Sequence, residues 1–292
     1  MKRRTRNRLV GLAYLAPALA FVGAFTVYPV GQMAWMSLNS WSLLTPPRYI
    51  GFANYKRAFE DDQFWTSFVF TLEYTAIITP ILIIGGYLLA LLTASNSPLR
   101  RFTRTVVFIP VVIGLGVSSL LWYWLFSADF GLVNRTLSDL GLISQPVLWL
   151  GEDANRSNLA IIASVVWKVM GFGMILFVGA IQAIPHEINE ASMVDGATPR
   201  QRVTRVVLPL TLRTVLLVTL VSVIGSLLAF DQFYIMTAGQ PQNATATSVF
   251  YVYLNSFPYL KLGYGAALSM ILAGTILAFT VVQLFLSRRS HA

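Results

Sequence analysis

The chain contains no cysteine, only two histidines (His186 and His291), and few charges, 11% of 292 residues. Each shortage excludes something. Without cysteine there is no disulfide scaffold, thiolate metal site or cysteine nucleophile, and with two histidines a haem or multi-histidine metal centre is hard to build. Soluble domains carry roughly 25% charged residues. A chain at 11%, with 56% hydrophobic residues and a mean hydropathy of +0.66, is not composed for water. The G-x-x-x-x-G-K-[ST] loop is also absent, as is any Gly-Lys dipeptide, so nothing here cradles the phosphates of ATP. Nor is the net charge of +9 a nucleic-acid footprint, because the basic residues are scattered between long uncharged runs and form no periodic face.

What the chain does have is apolar length. Crossing about 30 Å of hydrocarbon takes roughly 20 apolar residues in a helix, and six runs qualify: 9–38, 68–92, 106–126, 159–181, 215–235 and 262–286. The expected fold class is therefore an all-α integral membrane protein, six transmembrane helices in a single domain over 1–292 and embedded in a lipid bilayer. The first run follows basic residues and contains Ala18-Leu19-Ala20, which resembles a cleavage site, but its length suits an anchor. Lys2, Arg3, Arg4, Arg6 and Arg8, the group Arg100, Arg101 and Arg104, the group Arg200, Arg202, Arg205 and Arg213, and Arg288 with Arg289 all fall on one side of this topology. By the positive-inside rule both termini are cytoplasmic. The opposite loops hold most of the acids, and the first of them, 39–67, is rich in the Trp and Tyr that favour a membrane interface. A turn at Thr237-Ala238-Gly239-Gln240-Pro241 precedes an aromatic stretch, 250–259, that reads as a short helix.

One cytoplasmic loop does not read as a linker. Over 185–213 the pattern is helix, turn, helix. Pro185 suits a first helical turn, and Asp195-Gly196 ends that helix with a residue free to take positive φ. Thr198 is the expected N-cap of the second helix, with Pro199 at its first position and Gln201 completing a capping box. Leu208-Pro209 is expected to kink the chain where it re-enters the membrane. A hairpin held at the surface in this way is a docking element.

These residues resemble a known family. Glu190-Ala191-Ser192-Met193-Val194-Asp195-Gly196-Ala197, followed by Leu208-Pro209, is similar to the EAA loop of ABC importer permeases, with Ser192 in place of the second alanine. Leu15-Ala16-Pro17-Ala18, Tyr28-Pro29, Gly51-Phe52-Ala53-Asn54-Tyr55, the stretch 230–237 and Gly263-Tyr264-Gly265-Ala266-Ala267 resemble the carbohydrate permeases of the maltose and glycerol-3-phosphate type. The resemblance implies an ABC importer type I permease fold. It also implies a translocation path for a sugar or polyol shared with a second homologous permease subunit. ABC ATPase subunits would bind ATP and Mg2+ on behalf of a chain that binds no cofactor or metal itself, and an extracytoplasmic substrate-binding protein would deliver the solute. The setting is a bacterial or archaeal plasma membrane. Glu190, Ala191, Asp195 and Gly196 would couple the chain to its ATPase, Glu190 through a basic residue of that partner.

A solute route needs small or polar groups facing inward. Ser222, Ser226 and Ala229 recur at helical spacing on the fifth run with Phe230 beside them. On the third, Ser118, Ser119 and Trp122 lie within one turn. Hydroxyls suit sugar hydroxyls and an aromatic face suits a pyranose ring, although serine and alanine also mediate plain helix packing. Lys168 and Asp231 are charges inside apolar runs. They read either as a paired gate or, for Lys168, as a ligand of carbonyls at a broken helix end. The competing functional class is a stand-alone secondary carrier, against which stand the missing inverted repeat and the docking hairpin. A polytopic enzyme would want convergent acids or histidines, which the runs do not offer.

Overall fold

The structure, a computed structural model, describes residues 14–42 and 44–289, with side chains to residue 285. The basic cluster from Lys2 to Arg8 and His291 lie outside the described residues. The chain divides into two compact units, 1–62 with 252–274, and 63–251 with 275–292.

In the first unit, α1 (Tyr14–Ser37) keeps none of its most apolar stretch buried. It contains a π-helical turn at Gly23–Val27, directly before Pro29, whose missing amide proton an ordinary helix could not accommodate without loss. An antiparallel hairpin follows, β1 (Asn39–Ser42) and β2 (Thr45–Tyr49), and then α2 (Ala53–Phe59). Asn54 ties these together, its Nδ2 donating to the carbonyls of Ser37 at 2.9 Å and Asn39 at 3.0 Å. The hairpin was not legible in the sequence, because Pro46 and Pro47 argue against a strand wherever both edges are paired. Gly263 explains the Gly-Tyr-Gly string: a Cβ there would lie 1.9 Å from the Asn39 carbonyl. Between the two glycines, the Tyr264 hydroxyl donates to Asp61 and its ring carries the Arg57 guanidinium at 4.3 Å.

The second unit holds the long helices α3 (Asp62–Thr93), α7 (Ala154–Gln182) and α9 (Pro199–Leu227), together with the last part of α12 (Leu262–Arg289). The third expected span is not one helix. It is α4 (Pro98–Val112) and α5 (Leu115–Leu125), bent by 100° at the break between them. Pro110 withholds a donor near the end of α4, and Ile113 and Gly114 take extended backbone with ψ of 137° and 145°. Such a break frees carbonyls that only other groups can satisfy. Packing fixes its position: a Cβ on Gly171 of α7 would lie 2.4 Å from the Val107 carbonyl of α4, so the two backbones meet where only glycine fits.

The fifth expected span, 215–235, is also corrected. The helix runs from Pro199 to Leu227, stops at Leu228–Phe230, and is followed by the separate short helix α10 (Asp231–Met236). At its start the chain does not break at Leu208-Pro209: a π turn at Val203–Val207 precedes Pro209, and the second arm of the hairpin runs on as one helix into the span. Between the spans lie α6 (Leu132–Asp139), α8 (His186–Val194) and α11 (Ser248–Ser256). Two apolar clusters fill the unit. One gathers Tyr74, Ile78, Phe126, Ile161, Val165 and Phe233, the other Tyr87, Ala90, Met174, Phe177 and Val218. Outward, α3 shows Ile77, Ile81, Ile84 and Leu88 on one helical stripe, a surface suited to lipid or to another apolar helix.

Candidate functional site

The hairpin is built by its caps. At the end of α8, Gly196 takes φ +75°, and the Ala197 amide donates to the Ser192 carbonyl at 3.0 Å, the six-to-one bond that closes a helix on a left-handed residue. Thr198 then opens α9 with a complete capping box, its Oγ1 accepting from the Gln201 amide at 3.3 Å and its own amide donating to Gln201 Oε1 at 2.8 Å. The two arms are thus set by backbone geometry that the sequence announces. Glu190, Ala191, Asp195 and Gly196 are all exposed around this turn. Among the described residues, Glu190 pairs with its own-helix neighbour, His186 Nδ1 at 3.4 Å with both side chains largely exposed, a pair of small energetic consequence. Periodicity missed the apolar tip, where Met193 is 51% and Val194 87% exposed.

At the other end of α9 lies a cavity of about 210 Å³. The expected Ser222, Ser226, Ala229, Phe230 and Asp231 all line it. Ser226 Oγ already bonds the carbonyls of Ser222 and Val223 at 2.9 and 3.0 Å, which leaves its oxygen lone pairs as acceptors. The remaining wall comes from other helices: Tyr74, Ile78 and Leu82 from α3, Val165, Val169 and Phe172 from α7, and Leu115 from α5. No short-range pattern identifies those residues, since their letters are those of any membrane helix. Ser118, Ser119 and Trp122 are not on this wall. The two serines are buried, at 2% and 3% exposure, Ser119 bonding the Leu115 carbonyl at 2.9 Å. Trp122 packs against Phe126 and, edge to face, Trp167.

Of the two readings of Lys168, the structure shows the carbonyl ligand at a broken helix end and not the pair with Asp231. Lys168, 7% exposed on α7, donates from Nζ to the Val111 carbonyl at 2.8 Å. That carbonyl stands at the end of α4, where the break to α5 has removed its helical donor, and the negative end of the α4 dipole favours a cation there. Asp231 instead stands in the first turn of α10, on the cavity wall. Among the described residues no group of three or more His, Asp or Glu is placed to hold a metal ion.

This fold recurs in known proteins. The family described as binding-protein-dependent transport system inner membrane component matches residues 83–291. The chain belongs to this family. It is a multi-pass membrane permease subunit and not a catalyst, the ATP hydrolysis of such importers residing in a separate subunit. The chain is 32% identical over 284 residues to the sulfoquinovosyl glycerol transport system permease SmoG of Agrobacterium fabrum, covering 97% of this chain and 91% of that one. It is 32% identical over 289 residues to the trehalose/maltose permease MalF of Thermococcus litoralis, covering 98% and 96%. In fold it is similar to a chain of a bacterial alginate ABC transporter solved with an alginate pentasaccharide-bound periplasmic protein, with a TM-score of 0.86, 24% identity, and coverage of 99% and 96%.

Proposed function

We propose that this permease forms half of the translocation path for a sugar or polyol. It acts as one transmembrane domain in a bacterial or archaeal plasma membrane, with both termini in the cytoplasm. Its companions are a second homologous permease, ABC ATPase subunits that carry ATP and Mg2+, and an extracytoplasmic binding protein. The observation that carries the reading is the cavity at the end of α9, where Ser222, Ser226 and Phe230 stand together on the wall. At about 210 Å³ it falls below the roughly 300–1,000 Å³ of complete small-molecule sites, the size of a site that another subunit completes. Relatives named for trehalose/maltose and sulfoquinovosyl glycerol transport support a glycosidic solute, uncharged in the first name and a sulfonate in the second.

The hairpin supplies the drive. Glu190, Ala191, Asp195 and Gly196 surround a rigid turn whose exposed Met193 and Val194 offer apolar area to a cleft on the ATPase, and Glu190 offers a charge to a basic residue within it. Because α9 is continuous from this turn to the cavity, movement at the hairpin reaches the solute without a hinge between.

The test is to purify the tagged chain from its host in mild detergent, identify its companions, and reconstitute the assembly for ATP hydrolysis and uptake of labelled sugars. An ATPase and a second permease in the eluate, with sugar uptake driven by ATP, are the expected result. A chain that comes out alone under several gentle conditions and carries solute without ATP would overturn the reading in favour of a stand-alone carrier.

A further inference from the structure

The cavity wall is electrostatically one-sided. Among the described residues that line it, Asp231 is the one acid, and no Lys, Arg or His is present. The cation nearest in chain position is Lys168, between the lining residues Val165 and Val169 of α7, and its ammonium is directed to the Val111 carbonyl at 2.8 Å. There the carbonyl end of α4 offsets its charge. The rest of the wall is apolar apart from Ser222, Ser226, Gln232 and the Tyr74 hydroxyl. Apolar walls lower the local dielectric and extend the reach of a single carboxylate.

We propose that this half of the path selects by charge and accepts sugars or polyols without net negative charge. The proposal rests on the cavity being the solute path. A phosphate, sulfonate or uronate would meet the Asp231 carboxylate with no compensating cation on this wall. A neutral sugar instead donates its hydroxyls to the same carboxylate and to the serine oxygens. An amino sugar is accepted for the same reason.

The chain's lack of cysteine makes the field directly measurable. Gly225 lines the cavity, and a Cβ added there meets nothing within 4 Å, so Gly225→Cys places one thiol in the site at small steric cost. The assembled transporter carrying it is treated with two thiosulfonate reagents of similar size, one bearing a trimethylammonium and one a sulfonate. Labelling of this chain is followed by mass and each rate is divided by that with a free thiol. The expected result is a preference of about tenfold or more for the cationic reagent, falling toward unity in Gly225→Cys with Asp231→Asn, and slowing of both rates by a transported sugar. Equal rates, or a preference for the anion, with that protection present would overturn the charge proposal alone. Reaction that no sugar slows, or no reaction with either reagent, would remove the cavity from the solute path and overturn the path reading along with the proposal.

Discussion

At one end α9 starts behind a capping box, with Glu190, Met193, Val194 and Asp195 of the preceding arm standing in the open. At the other, 29 residues and about 43 Å away, it stops at Leu228–Phe230 against side chains contributed by α3, α5 and α7. The hairpin end is finished by its own backbone hydrogen bonds and has surface to spare. The cavity end is finished only by what other helices bring to it. One rigid element thus joins a surface for a partner to a wall for a solute, and the two ends should fail in different ways when altered.

The largest effect is expected at the hairpin. Gly196 holds φ +75°, which costs an ordinary residue about 1–2 kcal/mol, and an aspartate there adds a second charge beside Asp195. Gly196→Asp and Glu190→Lys should each abolish uptake and the ATP hydrolysis coupled to it, while membrane levels by immunoblot stay normal. If Glu190 is buried against a basic partner in the assembly, its reversal removes about 3–5 kcal/mol of docking. Normal transport by both variants would break the comparison at its coupling end.

Ser222→Leu, at the cavity end, should do the opposite. Added bulk on the wall should lower uptake about tenfold, the equivalent of about 1.4 kcal/mol, while the assembly still hydrolyses ATP. A variant that lost hydrolysis and uptake together would mean that the two ends are not separable.

How much of this the sequence disclosed follows the same division. The turn of the hairpin was legible to the residue because Gly196, Thr198, Pro199 and Gln201 act through local backbone chemistry, which is a matter of spacing, whereas Pro185 stands one residue before the helix it was expected to open. On the cavity wall only the chain segment around the end of α9 was legible, for Ser222 and Ser226 share one face of α9 and Ala229 follows just past its end, whereas Tyr74, Val165 and Leu115 converge through tertiary packing. The 100° break was missed for a related reason. Pro110 and Gly114 are individually tolerable in a membrane helix, and the feature that stabilises the break, Lys168 on the Val111 carbonyl, lies 57 residues away in the chain. That Lys168 bonds a carbonyl at a broken helix end was one of its two readings from sequence; which helix is broken, and so which carbonyl accepts, was not evident.

That pair predicts a smaller effect. Lys168→Met leaves the Val111 carbonyl without its donor and should destabilise the purified assembly by about 1–3 kcal/mol, seen as a lowered thermal unfolding midpoint in detergent. Lys168→Gln, which keeps a donor without the charge, should recover part of the loss. Equal midpoints for the parent and Lys168→Met would mean the break holds itself, and the cavity wall at Leu115 would then owe nothing to this lysine.

The smallest effect should come from Ser192, the position at which this hairpin departs from the family's Glu-Ala-Ala. It is the buried side chain of α8, 8% exposed, and its Oγ donates to the Asn189 carbonyl at 2.7 Å within the same helix. A back-bond of this kind competes with helical hydrogen bonding and contributes little, so Ser192→Ala should change stability by no more than about 0.5 kcal/mol and leave uptake within about twofold. What the site does demand is small size, because its Cβ is turned into packed neighbours while Glu190, Met193 and Val194 face out. Ser192→Leu should therefore cost about 1–3 kcal/mol by overpacking and reduce coupled ATP hydrolysis. Should Ser192→Ala instead lose uptake as severely as Gly196→Asp, the hydroxyl would be a contact to the ATPase in its own right, and the docking face of α8 would extend to the side that the free chain keeps covered.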